Sequence, residues 1–174
     1  MGDMLIGVRD PYGLRPLCLG KLENGGYALA SESCALDAIG ATLIRDIEPG
    51  EILTITKDGL KSNMELAGTK KAHCVFEYIY FARPDSFVDG MSVYNSRILA
   101  GRYLAIDSPV DADLVVGVPE SGNCAALGYA MESGIPYGQA FVKNSYVGRT
   151  FIKPGQKNRE SSVQVKLNAL RDQF

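Results

Sequence analysis

Histidine is almost missing. His73 is the single one in 174 residues, so no pair of imidazoles is available to hold a metal, and a surface position is its expected role. No seryl elbow motif is present either. The cysteines Cys18, Cys34, Cys74 and Cys124 are widely scattered without C-x-x-C spacing, which argues against a disulfide framework or a self-contained zinc site. No apolar run approaches the length of a bilayer span, and the opening MGDMLIGVRD lacks the basic-then-apolar order of a secretory signal. A cytoplasmic setting without membrane contact is expected. An excess of charge is equally lacking: 18 Lys and Arg against 20 Asp and Glu, with a pI near 5.4, argue against a general nucleic-acid binder. Repeats and low-complexity tracts are absent. What remains, 46% hydrophobic and 22% charged residues, is the composition of one ordinary domain or of parts of two.

The apolar run Met4–Val8 meets Asp10-Pro11-Tyr12-Gly13, whose Pro and Gly suit a β-turn, and Leu14–Leu19 reads as the returning strand. Asn24-Gly25-Gly26 turns the chain into Tyr27–Ala30, giving a β-meander. Ser33 is placed to cap a short helix over Cys34–Ile39. After Glu48-Pro49-Gly50, Glu51–Thr56 alternates at period two and stops at Asp58-Gly59, a favoured hairpin pair. To about Ser62 the chain reads as mainly antiparallel strand. The polar stretch Asn63–Lys71 then marks a domain boundary, with residues 1–72 before it and 73–174 after.

Beyond the boundary, Val75–Phe81 is rich in aromatic and β-branched residues and reads as a strand ended by Arg83-Pro84-Asp85. Ser92 is placed to cap a helix running to about Ile106, with Ile98, Leu99, Arg102 and Ala105 on one face. In Asp113–Met131 the apolar run Leu114–Val118 stops at Pro119-Glu120-Ser121-Gly122, and a small-residue helical pattern follows at once. This spells strand, tight turn, helix. Ser133-Gly134-Ile135-Pro136 ends that helix, Gln139–Val142 reads as a short strand, and Val163, Lys166, Leu167 and Leu170 mark a last helix. Alternating strands and helices require a parallel sheet. The fold class expected is α+β followed by α/β.

A helix start at the end of a parallel strand points amides toward whatever lies above the sheet, where anions bind in such folds. Lys143-Asn144-Ser145-Tyr146-Val147-Gly148-Arg149-Thr150 has no regular period and carries two cations back toward that corner. Ser121, Lys143 and Arg149 would together suit a phosphate or pyrophosphate, with the Ser121 hydroxyl able to touch Mg²⁺. The plainer alternative makes Ser121 only a helix cap and leaves both cations in water. Cys18, Cys34 and Cys124 fall in core-like patterns, whereas Cys74 stands at the start of a strand. Asp10, Glu32 and Glu77 are possible acids or bases, though turn-stabilising and solvated roles are commoner.

The segments GVRDPYGLRPL, ALASES, IEPGEIL, CVFEYIYFARPDS, GVPESG and KNSYVGRTFIKPGQ occur in this order between Ile6 and Arg171. Together they resemble the amidophosphoribosyltransferase family, the glutamine-dependent enzymes that open purine synthesis. The resemblance implies the C-terminal part of an N-terminal-nucleophile glutaminase αββα domain (glutamine amidotransferase type 2) over residues 1–72. The N-terminal part of a type I phosphoribosyltransferase domain follows over 73–174. It further implies that ammonia from glutamine displaces pyrophosphate from C1 of phosphoribosyl pyrophosphate, giving 5-phosphoribosylamine. By resemblance, Pro119, Glu120, Ser121 and Gly122 form the turn facing the pyrophosphate, and Ser121 contacts Mg²⁺. Lys143–Ile152, with Lys143, Tyr146, Gly148 and Arg149, resembles the loop that closes over substrate and excludes water. One subgroup of the family carries a 4Fe–4S iron–sulfur cluster on four cysteines, and Cys74 stands where the first lies. Purine nucleotide inhibitors and a homo-oligomer are also implied.

The family pattern is not complete in this sequence. A catalytic cysteine followed by Gly and Ile or Val, and the arginine, Asn-Gly and aspartate that bind glutamine, are not in it; neither are the paired aspartates and Gly-Thr-Thr loop that grip the ribose phosphate. Ser145 stands where arginine is common. The resemblance therefore implies an internal portion of such an enzyme, inactive by itself and prone to associate through uncovered edges. Three other readings compete: another class 2 glutamine amidotransferase, a plain purine phosphoribosyltransferase, and a non-catalytic nucleotide-binding or regulatory module.

Overall fold

The computed structural model describes residues 3–68, 70–148, 150, 152 and 154–173. These form two compact units, one ending at Ser96 and the other beginning at Arg97. The first contains, in chain order, β1 (Leu5–Val8), β2 (Cys18–Leu22), β3 (Tyr27–Ala30), α1 (Ser33–Ala38), β4 (Ala41–Asp46), β5 (Ile52–Thr56), β6 (Gly59–Asn63), a wide helical turn over Glu77–Phe81, and the short hairpin β7 (Phe87–Val88) and β8 (Met91–Ser92). Two antiparallel sheets result, ordered β1-β5-β6 and β3-β2-β4.

Alternation along β2 sorts its side chains to opposite faces. Leu19 joins Ile47, Leu53 and Ile55 between the two sheets, whereas Cys18 joins Leu36 and Ala41 under α1. The layers therefore run sheet, sheet, helix. Leu19, Leu36, Ile47 and Leu53 are all but fully buried, each stabilising the fold by about 1.5–3 kcal/mol through the area it removes from water.

The pairing of β2 with β3, the Asp58-Gly59 hairpin and the β5 alternation are as the sequence suggests, but the meander does not extend to β1, which pairs with β5 in the other sheet. Strand β4 was not read from it, although it pairs along all of β2. The returning strand begins only at Cys18, not Leu14. Before it, the carbonyls of Gly13 and Arg15 accept from the Arg9 guanidinium instead of a neighbouring strand. Ser33 does not cap α1: it is the first helical residue, and its Oγ accepts from the Phe87 amide at 2.8 Å.

Val75–Phe81 is helical, not a strand. The Ile79 and Ala82 amides donate back to the carbonyls of Val75 and Glu77, so the segment satisfies its own backbone. That winding lets Glu77 reach Arg15 at 2.7 Å and Tyr78 pack on Ala82, Val88 and Val93. By internal contacts the chain parts into its compact units after Ser96. Residues 73–92 pack back on the strands through Arg9–Asp89, Arg83–Glu32 and Ser86–Glu32.

The chain passes to the second unit along α2 (Val93–Asp107). Ser92 caps this helix as expected, its Oγ accepting from the Asn95 amide at 3.2 Å. The second unit continues with β9 (Val115–Val116), α3 (Gly122–Ser133), β10 (Tyr137–Gly138), β11 (Phe141–Lys143), α4 (Gln156–Lys166) and β12 (Leu167–Ala169). Strands β9 and β10 are parallel and joined by α3, the expected βαβ arrangement. Gly134, in the left-handed region at φ 75°, ends α3 by donating to Ala130. Helices α2 and α3 meet backbone to backbone: a Cβ on Gly101 or Gly128 would overlap the carbonyl of Ala125 or Ile98.

Two boundaries differ from expectation. Of Gln139–Val142 only Phe141 and Val142 are strand, in β11, while Gln139 and the fully buried Ala140 link it to β10. The last helix stops at Lys166, and Leu167–Ala169 pairs with β11, because β11 offers a row of backbone partners that helical continuation would leave unpaired.

Candidate functional site

The turn after β9 is built by its own backbone. Gly117 folds back on the helix start so closely that a Cβ there would lie 2.6 Å from Asn123 Oδ1 and 2.7 Å from Asn123 Cα, so only glycine fits. The Pro119–Glu120 peptide is cis. The Gly122 amide donates to the Val118 carbonyl and the Asn123 amide to the Glu120 carbonyl, both at 3.2 Å. Two amides that the sequence reading left free for an anion are thus used within the turn. Ser121 has helical backbone angles and makes no side-chain cap bond, so the capping role is not observed. Its hydroxyl and the neighbouring Glu120 carboxylate are oxygen donors of the type Mg²⁺ accepts.

Lys143 comes to this turn from β11. Its Nζ lies 2.9 Å from Glu120 Oε2, so it is paired and not solvated. The segment after it is a compact bend. Asn144 accepts the Tyr146 amide on Oδ1 and the Val147 amide on its carbonyl, leaving the Tyr146 side chain fully exposed. Lys166 ties both ends, accepting the Asn144 amide on its carbonyl and donating from Nζ to the Gly148 carbonyl at 3.1 Å. Arg149, the second cation of the sequence motif, lies outside the described residues.

The remaining candidates are distributed elsewhere. Cys18, Cys34 and Cys124 are buried, and burial pushes the Cys18 thiol up to about 11, consistent with packing. Cys74 is half-buried; its amide donates to the Leu14 carbonyl. Among the described residues no three or more His, Cys, Asp or Glu side chains gather as a metal site. Asp10 accepts the Tyr12 and Leu14 amides on its two carboxylate oxygens, a turn-stabilising role. Glu32 accepts from the Arg83 amide and Ser86 Oγ, and Glu77 is buried against Arg15.

One charged constellation was not read from the sequence. The buried Arg9 guanidinium donates to both Asp89 carboxylate oxygens, at 2.7 and 2.9 Å, and to the carbonyls of Gly13, Arg15 and Ile47. His73, whose side chain is 30% exposed, adds Nδ1 at 3.1 Å from Asp89 Oδ2. Asp89 and Gly90, at φ 48° and 76°, form the hairpin turn between β7 and β8. The Asp-Gly pair after Phe87-Val88 was the available signal.

No protein-family model matches the chain. Among curated proteins, the amidophosphoribosyltransferase of Mycobacterium tuberculosis strain H37Rv is 56% identical over 170 residues, covering 98% of this chain and 32% of that protein. That of Archaeoglobus fulgidus is 53% identical over 171 residues, covering 98% and 37%. Amidophosphoribosyltransferase 1, chloroplastic, of Arabidopsis thaliana is 51% identical over 169 residues, covering 97% and 30%. Among solved structures, the glutamine phosphoribosylpyrophosphate amidotransferase of B. subtilis, complexed with ADP and GMP, matches with a TM-score of 0.84 at 48% identity, over 98% of this chain and 37% of that one. In sequence and in fold, this chain is similar to the amidophosphoribosyltransferases, spanning about a third of the length of the relatives it matches.

Proposed function

We propose that this chain serves an amidophosphoribosyltransferase, a glycosyltransferase that moves glutamine-derived ammonia to C1 of phosphoribosyl pyrophosphate in the first step of purine biosynthesis. On this reading residues 1–72 belong to the glutaminase domain and 73–174 to the phosphoribosyltransferase domain. Pro119, Glu120, Ser121 and Gly122 line the pyrophosphate, and Lys143, Tyr146, Gly148 and Arg149 close over it. The observation that carries the reading is the arrival of Lys143 at the turn after β9, in a chain 48–56% identical to these enzymes over nearly its whole length.

The chemistry follows from charge. As the new bond to C1 forms and the bond to the leaving oxygen breaks, negative charge grows on the pyrophosphate. The Lys143 ammonium, brought to the turn by β11, is positioned to stabilise it. Bound Mg²⁺, reached by the Ser121 hydroxyl, would neutralise pyrophosphate oxygens. Cys74, free and half-buried, is the cysteine open to a cluster ligand role. Purine nucleotides as inhibitors accord with the ADP and GMP held by the B. subtilis relative. A homo-oligomer in the cytoplasm completes the proposal; among the described residues no helix is long and apolar enough to cross a membrane.

The test is a chimera in which residues 1–174 replace the matching segment of the B. subtilis enzyme. Glutamine-dependent phosphoribosylamine formation is expected, with Ser121→Ala reducing it at limiting Mg²⁺. A folded chimera that binds purine monophosphate but forms no product would favour the non-catalytic module instead.

A further inference from the structure

The turn that would receive pyrophosphate carries a carboxylate of its own. Glu120 stands between Pro119 and Ser121, and its Oε2 lies 2.9 Å from the Nζ of Lys143. The Glu120 side chain is 71% exposed and that of Lys143 only 26%. The ammonium is therefore the fixed member of the pair, held by β11, and the carboxylate is the one free to leave into water. A diphosphate entering the turn needs that same ammonium.

We propose that Glu120 is a resident counter-ion that occupies Lys143 until a diphosphate displaces it, making anion binding an exchange of carboxylate for phosphate oxygen on one ammonium. The proposal rests on the reading of Pro119–Gly122 as the pyrophosphate turn, and it concerns selectivity there. In the resting state the pair is neutral, so the turn attracts singly charged anions weakly. A diphosphate brings more charge than the carboxylate it replaces and wins the exchange. Once displaced, Glu120 remains beside the bound anion and repels it. A divalent cation on the diphosphate cancels most of that repulsion. Glu120 thereby favours the metal-bound diphosphate over the metal-free one.

The experiment is calorimetric titration of the full chain with inorganic pyrophosphate at low salt, once in EDTA and once with excess Mg²⁺. Wild type, Glu120→Gln, Lys143→Met and the double variant are compared. Because exposed ion pairs contribute little, Glu120→Gln is expected to tighten metal-free pyrophosphate only about two- to fivefold. The gain should be smaller with Mg²⁺, and the part that comes from freeing the ammonium should be lost in the Lys143→Met background, leaving a smaller gain there. Unchanged or weaker binding by Glu120→Gln, while Lys143→Met still weakens it, overturns the counter-ion and leaves the turn assignment standing. A gain of equal size with and without Lys143 also overturns it, since the carboxylate would then act through its general field. Absence of binding by every variant and by wild type removes both the turn assignment and the proposal.

Discussion

Replacing Glu51 by glutamine would remove one charge from a crowded polar site in the first unit. The carboxylate is fully buried. It accepts from Arg45 Nη1 and Nη2 at 2.8 and 2.7 Å, from Ser62 Oγ at 2.7 Å and from the Glu48 amide at 2.8 Å. The Arg45 fork is the largest influence and, with the other donors, outweighs desolvation and holds the Glu51 carboxyl down at about 2, against an ordinary 4.5. A native carboxyl lowered this far contributes ~3 kcal/mol above the unfolded-state value, at about 1.36 kcal/mol per pH unit. The contribution is present near neutrality and is lost as pH falls from about 4.5 through about 2. Urea unfolding of wild type and Glu51→Gln from neutral pH down to about 2 isolates it. Wild type should be the more stable by roughly 2–3 kcal/mol near neutrality, because glutamine leaves Arg45 without a counter-charge. The difference should close at the acid end, where Glu51 is itself neutral. Two curves that stay parallel across the acid range would refute the reasoning.

Asp89→Asn should destabilise the first unit by about 3–5 kcal/mol, since it strands the buried Arg9 guanidinium; in urea unfolding, adding Arg9→Met to it should recover part of the loss. Asp46→Asn should act the other way. Burial and then the nearby Asp89 raise the Asp46 carboxyl above its usual range, so folding opposes its ionisation. Thermal unfolding should show a gain near neutrality that disappears in acid, where Asp46 is protonated in both states. Gly128→Ala should force α3 away from the Ile98 carbonyl of α2, and the ~1–3 kcal/mol of overpacking should exceed the ~1 kcal/mol gained in helix propensity. Faster amide exchange along α2 and α3 would report it.

What could be read from the sequence was what neighbours in the chain decide. The Asp58-Gly59 turn, the Ser92 cap and the stop at Gly134 each depend on a few adjacent residues, and each is present. The Pro119–Gly122 turn was equally legible, because an apolar run ending at Pro before a small-residue helix has few other solutions. Val75–Phe81 was not. Its composition favours a strand, yet no neighbouring strand pairs with it among the described residues, and Arg15 and the cluster around Val88 draw Glu77 and Tyr78 into a helical turn. Leu167–Ala169 failed the same way, from helix to strand, because β11 supplied its partner.

The sequence by itself carried the resemblance, since several specific segments in fixed order survive without reference to any contact, and it located the turn and the cationic loop that follows. Only the tertiary structure decided what those charges do. Arg9 and Asp89 are 80 positions apart and Glu120 and Lys143 are 23 apart. Pairing at such distances is set by which strands pack side by side, and no local pattern along the chain encodes it.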